Sequence, residues 1–137
     1  MNFNNNYLKV NFENENDLLV SIWNTPEDMK DKDYRTLISR YCRLLETYKP
    51  KRIIIEASNS KFTISLETQS WVINKVFPLY KKYQLTRLAV VMSDDFIAQL
   101  SYEQIISEMS MDDLVIDYFV NMQAAKAWII SNKKPKS

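Results

Sequence analysis

Few side chains in these 137 residues could carry out chemistry. Glu56 closes the apolar run Ile53-Ile54-Ile55, and Asp94 and Asp95 stand side by side after another apolar run, Leu88 to Met92. A carboxyl withdrawn from water suits general acid or base work. One at the end of a strand can equally accept backbone N–H bonds, and Glu56 has no partner acid or nucleophile beside it in the chain. Ser58, Asn59, Lys61 and Ser93 add hydroxyls, an amide and an ammonium to the same two regions. Asp94-Asp95 and Asp112-Asp113 could hold a metal, but adjacent acids at element starts are far more often caps and turns.

The missing residue types exclude more. The chain has no glycine, so no Walker-type phosphate loop, dinucleotide-binding turn or G-x-S-x-G elbow can exist in it. It has no histidine, which removes Ser-His and Cys-His nucleophile pairs and imidazole metal ligands. Its one cysteine, Cys42, can form neither an internal disulfide nor a multi-thiolate zinc site. The expectation is a non-catalytic protein with no cofactor and no metal.

Hydrophobic periodicity indicates the elements that would position these residues. Leu8, Val10 and Phe12 alternate with polar residues, and Leu18 to Trp23 is a second strand-like run, so the two predict a hairpin. Asn14 or Asn16 is expected in the left-handed position that glycine usually fills, with Asn24 and Asn59 doing the same elsewhere. Tyr34, Leu37, Ile38, Tyr41, Leu45 and Tyr48 recur at helical spacing until Lys49-Pro50. Ile53 to Ile55 reads as a strand covered on both faces. Ser65 is the expected N-cap of a helix carrying Trp71, Val72, Val76 and Tyr80, kinked or split at Pro78. After the strand Leu88 to Met92, a helix holds Phe96, Ile97, Leu100, Ile105, Ile106 and Met109, with a break expected near Ser101. Leu114 to Phe119 is the last strand, and Asn121 caps a closing helix with Ala125, Trp128 and Ile129 turned inward.

The predicted fold class is α/β: a single-domain β-α superhelix in which an N-terminal β-hairpin precedes a parallel βαβαβα series in a mixed sheet. The three strands joined by helices should be parallel, through right-handed crossovers. The domain is expected over 1–131, with 132–137 a basic tail. Eighteen Lys and Arg stand against 17 Asp and Glu, and without the three tail lysines the balance is 15 to 17. Nothing in that balance draws the chain to nucleic acid. No apolar run is long enough for a membrane span and no secretion signal is visible, so a cytoplasmic location is expected.

Three stretches together resemble a family. Gln69-Ser70-Trp71-Val72-Ile73-Asn74 leading to Pro78 looks like a second helix of the small bacterial STAS-domain proteins of the SpoIIAA-like (STAS/SEC14) type. Leu88 to Ser101 resembles their strand, acidic cap and helix, and Tyr118-Phe119 with Ala124 to Ile129 is similar to their closing strand and helix. The likeness runs from about Tyr7 to Ile130, carried by the order and spacing of the pieces. The resemblance implies a regulatory module that binds a protein partner, with a phosphoserine at the start of the helix after the third strand. Here that stretch reads Thr63-Ile64-Ser65-Leu66-Glu67, without the family's preceding acid and following glycine, and Ser65 is the candidate phosphorylation site.

Ligands of an open α/β sheet sit beyond the carboxyl ends of its parallel strands. Glu56, Ser58, Asn59, Lys61, Ser93 and Asp94 are therefore the candidate crevice, for a ligand or a partner. Trp71, Phe77 and Tyr80 could line an apolar pocket, although aromatics at helical spacing are more often core. The expected function is binding to a protein partner, with a homodimer as a further state. The alternative is a carrier or sensor of a small apolar or anionic ligand at the strand ends, and a small carboxylate-dependent enzyme ranks third.

Overall fold

The computed structural model describes residues 2–131, with side chains from Asn5 onward; the expected basic tail at 132–137 lies outside the described residues. Six strands form one mixed sheet in sequential order: β1 (Asn2–Asn4), β2 (Leu8–Glu13), β3 (Leu18–Trp23), β4 (Arg52–Glu56), β5 (Arg87–Val91) and β6 (Val115–Phe119). The first three are antiparallel, and β3 to β6 are parallel. The parallel set thus has four members, because the second hairpin strand pairs directly with β4. Helices α1 (Asp31–Tyr48), α2 (Leu66–Lys82) and α3 (Phe96–Ser107) follow β3, β4 and β5, and α4 (Met122–Ile129) closes the chain. The α/β class and the hairpin-then-parallel order agree with the sequence reading; β1 is an added edge strand ahead of the expected hairpin.

Alternation along each strand divides the core in two. Leu8, Val10, Leu19, Ile53, Leu88 and Val90 face α1, α2 and α3. Leu18, Val20, Ile54, Ala89 and Val91 face the opposite way, where Ala125 and Ile129 of α4 cover them. Side chains on a strand point to alternate faces, so the unbroken isoleucine run of β4 supplies both layers. Lys126 of α4 pairs with Glu13, tying this lone helix back to the hairpin.

Backbone strain falls elsewhere than the asparagines suggest. Among the described residues, those with positive φ are Asp17 (48°), Lys49 (48°) and Gln84 (56°). Asn14–Asn16 instead forms a 3-10 turn, and Asp17 caps it with its N–H on the Asn14 carbonyl. Lys49 ends α1 in the same way, its N–H bonding the Leu45 carbonyl. A left-handed residue is set by where a helix must stop, and whatever side chain stands there bears the cost. Gln84 is exposed, so Gln84→Gly should raise stability by roughly 0.5 to 1 kcal/mol. A urea titration showing no upward shift of the midpoint would refute this.

Neither helix is split. α2 passes through Pro78, and α3 runs unbroken through Ser101, whose hydroxyl donates to the Ala98 carbonyl (2.7 Å). That bond satisfies the hydroxyl within the helix.

Candidate functional site

The loops at the carboxyl ends of β4 and β5 are stitched together by the polar residues proposed for a crevice. Glu56 Oε1 accepts the Ser58 N–H at 2.7 Å, and the Ser58 carbonyl accepts the Asp94 N–H at 3.3 Å. Ser93 Oγ donates to the Ser60 carbonyl (2.5 Å) and accepts the Asp95 N–H (3.1 Å). Ser60 Oγ in turn donates to the Trp23 carbonyl at 2.8 Å. The structure therefore brings Glu56, Ser58, Ser93 and Asp94 into one network of turn bonds, while Asn59 and Lys61 stand exposed beside it. The side chains of Glu56, Ser60 and Ser93 hold backbone groups, which is chemistry of folding, while Ser58 and Asp94 join the network through their own backbone. Asp95 is the N-cap of α3, accepting from the Ile97 and Ala98 N–H groups at 3.0 Å each. Among the described residues no three His, Cys, Asp or Glu side chains gather as a metal site.

An open crevice of about 320 Å³ lies one strand further along, between the ends of β5 and β6. Met92, Ser93, Asp94, Gln99, Tyr118 and Phe119 line it, with Val120 at its rim. The elements that border it carry apolar side chains left in water. Phe96 is 72% exposed and Val120 89%, and Ile97, Leu100 and Tyr118 are also exposed. α3 is apolar on two sides: Ala98, Tyr102, Ile105 and Ile106 turn into the core while Phe96, Ile97 and Leu100 turn out. Helical periodicity marked all of these as apolar but could not say which stripe the sheet would take. The signal was present in the sequence, since Phe96, Ile97 and Leu100 exceed what one helix face can hold. Tyr118, partly buried and facing Glu103, has its phenol held above the usual range by burial first and by that carboxylate second.

Ser65 is the N-cap of α2, exposed, with Oγ accepting the Thr68 N–H at 3.3 Å. Arg35 reaches the same helix start from α1, donating to Thr68 Oγ1 at 3.1 Å. The three aromatics expected around a pocket separate. Trp71 is partly buried at the margin of the core, beneath Arg35 of α1 (5.1 Å from the ring centre) and Lys75 (5.8 Å), and Phe77, also partly buried, lies beneath Lys81 (4.6 Å). Tyr80 alone of the three lines an internal void of about 50 Å³, with Trp23, Tyr34, Tyr41, Leu88 and Tyr102 among its other walls. That volume is far below the few hundred Å³ of a typical small-molecule site.

The void is bordered by hydroxyls of unequal standing. Tyr41 and Tyr80 share a hydrogen bond at 2.7 Å, and burial drives both phenols well above their ordinary range. The buried hydroxyls of Tyr102 and Thr25 have no partner in good hydrogen-bond geometry, although they lie close to each other and those of Ser60 and Tyr34 also lie close to Tyr102. An unsatisfied buried hydroxyl costs free energy, so its removal is benign. Tyr102→Phe should leave stability unchanged or raise it by up to about 1 kcal/mol, whereas Tyr41→Phe should lower it by about 1 to 3 kcal/mol by orphaning Tyr80. Equal losses in paired thermal melts would contradict this assignment. Cys42, half-buried on α1, has its thiol pushed up to about 11 by burial, with Glu46 adding to the effect, which leaves it a poor nucleophile.

No family model, curated protein or solved structure matches the chain. No described helix is long and apolar enough to cross a membrane.

Proposed function

We propose that this chain is a non-catalytic binding or regulatory module of the STAS/SpoIIAA-like kind, acting through a protein partner at the carboxyl edge of its sheet. One observation carries the reading: Phe96, Ile97 and Leu100 of α3, and Tyr118 and Val120 at the end of β6, are large apolar side chains left exposed on the two elements that border the strand-end crevice. Large apolar side chains grouped at a sheet's functional edge are characteristic of contact surfaces. The polar residues nearby support the same reading, because the side chains of Glu56 and Ser93 are engaged in turn bonds. Catalysis would need them free to meet a substrate. Ser65 is the candidate switch under this reading. A phosphoryl group there would sit at a helix N-terminus with Arg35 close by, a favourable setting for negative charge.

Co-purification from the protein's own cells tests the proposal. Wild-type chain and a Phe96→Ser, Leu100→Ser variant are compared at equal expression. The expected result is at least one protein enriched with the wild type and lost with the variant. Identical partner profiles for the two would overturn the reading.

A further inference from the structure

The sheet ends at β6, whose outer edge pairs with no strand among the described residues. Two bonds fix the direction of its backbone groups. The Val115 N–H reaches the Thr86 carbonyl, and the Phe119 carbonyl receives the Met92 N–H. Successive residues of a strand turn their backbone groups to opposite edges, so Val115, Asp117 and Phe119 bond β5 while Ile116 and Tyr118 point outward. An open edge of this kind is a template for another strand. The opposite edge of the sheet, β1, offers only three residues, where β6 offers five.

One side chain stands in the way. Asp117 is exposed at the centre of β6, and its Oδ1 accepts the outward Tyr118 N–H at 2.8 Å. Without it the edge is self-complementary. Two copies laid antiparallel about Asp117 would set Ile116 of each opposite Tyr118 of the other, each pair exchanging both of its backbone bonds. An aliphatic β-branched residue opposite an aromatic ring is also a favoured cross-strand pair. The two Asp117 residues would then face each other in the non-hydrogen-bonded position, where Cα atoms lie about 4.5 Å apart. Like charges directly opposite destabilise a sheet pair, and each carboxylate would also have to release a Tyr118 N–H. We propose that the β6 edge is a self-pairing surface for a second copy of this chain, and that Asp117 holds it closed by its charge and by occupying the Tyr118 N–H. The proposal is independent of the partner surface on α3, since it rests on backbone groups at the sheet edge.

Sedimentation velocity on the full chain tests this, with circular dichroism checking that each variant keeps the wild-type fold. Asp117→Thr removes the charge and supplies a residue suited to strands, so it should self-associate about tenfold or more tightly than the wild type. Asp117→Lys restores like charges. It should therefore stay apart from itself yet form a complex with the wild type in an equimolar mixture, lysine opposite aspartate. Adding Tyr118→Pro to Asp117→Thr removes an outward N–H, a change an edge strand tolerates, and should abolish the association. Adding Phe96→Ser and Leu100→Ser instead should leave it intact. Asp117→Thr sedimenting as the wild type does, or an equimolar Lys and wild-type mixture showing no complex, would overturn the proposal. An association that survives Tyr118→Pro would overturn it as well, and one dissolved by the Ser substitutions would place the contact on α3. A wild type that already pairs, and that Tyr118→Pro separates, would show that Asp117 is no barrier.

Discussion

Arg87→Ala should lower stability by about 2 to 4 kcal/mol, and the damage should begin at α4. Arg87 opens β5 yet is only 7% exposed, because its side chain lies under the last turn of α4. Its Nη1 donates to the Trp128 carbonyl at 3.0 Å, to the Ser131 carbonyl at 2.8 Å and to Ser131 Oγ at 3.1 Å. The guanidinium also sits 5.5 Å from the centre of the Trp128 ring. The last carbonyls of a helix have no partner within it and carry partial negative charge, so a cation donating to them is favourable twice over. Alanine would take the guanidinium donor from the Ser131 carbonyl, leave the Trp128 carbonyl to the Ser131 N–H and hydroxyl alone, and open space beside Trp128. Lysine should recover only part of the loss, since a point charge cannot span several acceptors in a plane or stack on an indole. Urea titration gives the size of the effect, and hydrogen exchange gives its place, through earlier loss of protection over Met122–Ile129 than over β4. A loss under about 1 kcal/mol would show that α4 is held by its apolar face alone.

The second large effect concerns the interior void. Leu88 is fully buried on central strand β5 and forms part of the wall of the 50 Å³ space. Leu88→Ala should cost about 3 to 5 kcal/mol, the upper range for such truncations, because the removed side chain enlarges a space that already exists. The enlarged void should then accept benzene, as apolar cavities of about 150 Å³ do. Benzene should therefore raise the melting temperature of the variant and leave the wild type unchanged. If the wild type itself were stabilised by benzene, the interior would be roomier than its geometry indicates and the small-ligand carrier would become the better reading.

The order of elements was legible because periodicity separates strands from helices, and because Pro50, Ser65, Asp95 and Asn121 sit where helices end or begin. The isoleucine run of β4 announced a strand covered on both faces, and two separate core layers do cover it. Other features were illegible for identifiable reasons. Left-handed backbone went to Asp17, Lys49 and Gln84, since helix length decides that position and the side chain's own preference is the weaker force. The Asn2–Asn4 strand has no apolar alternation to read. In the candidate site, Glu56, Ser58 and Ser93 were correctly located at strand ends, but their bonds to backbone groups depend on how two loops meet. The exposure of Phe96, Ile97 and Leu100 was hidden for the same reason: their apolar character is in the sequence, but the choice of which α3 stripe meets the sheet is made by the fold. Trp71 and Phe77 were separated from Tyr80 by helical rotation, which leaves them partly buried at the margin of the core while Tyr80 faces fully inward.

A photoreactive benzophenone side chain in place of Phe96, and separately in place of Lys82 at the far end of α2, offers the most direct test of the central claim. Irradiation in the protein's own cells should yield a covalent adduct with one or a few proteins from position 96 and none from position 82. Adducts of equal yield from both positions, or from position 82 alone, would contradict a partner surface built on α3 and β6.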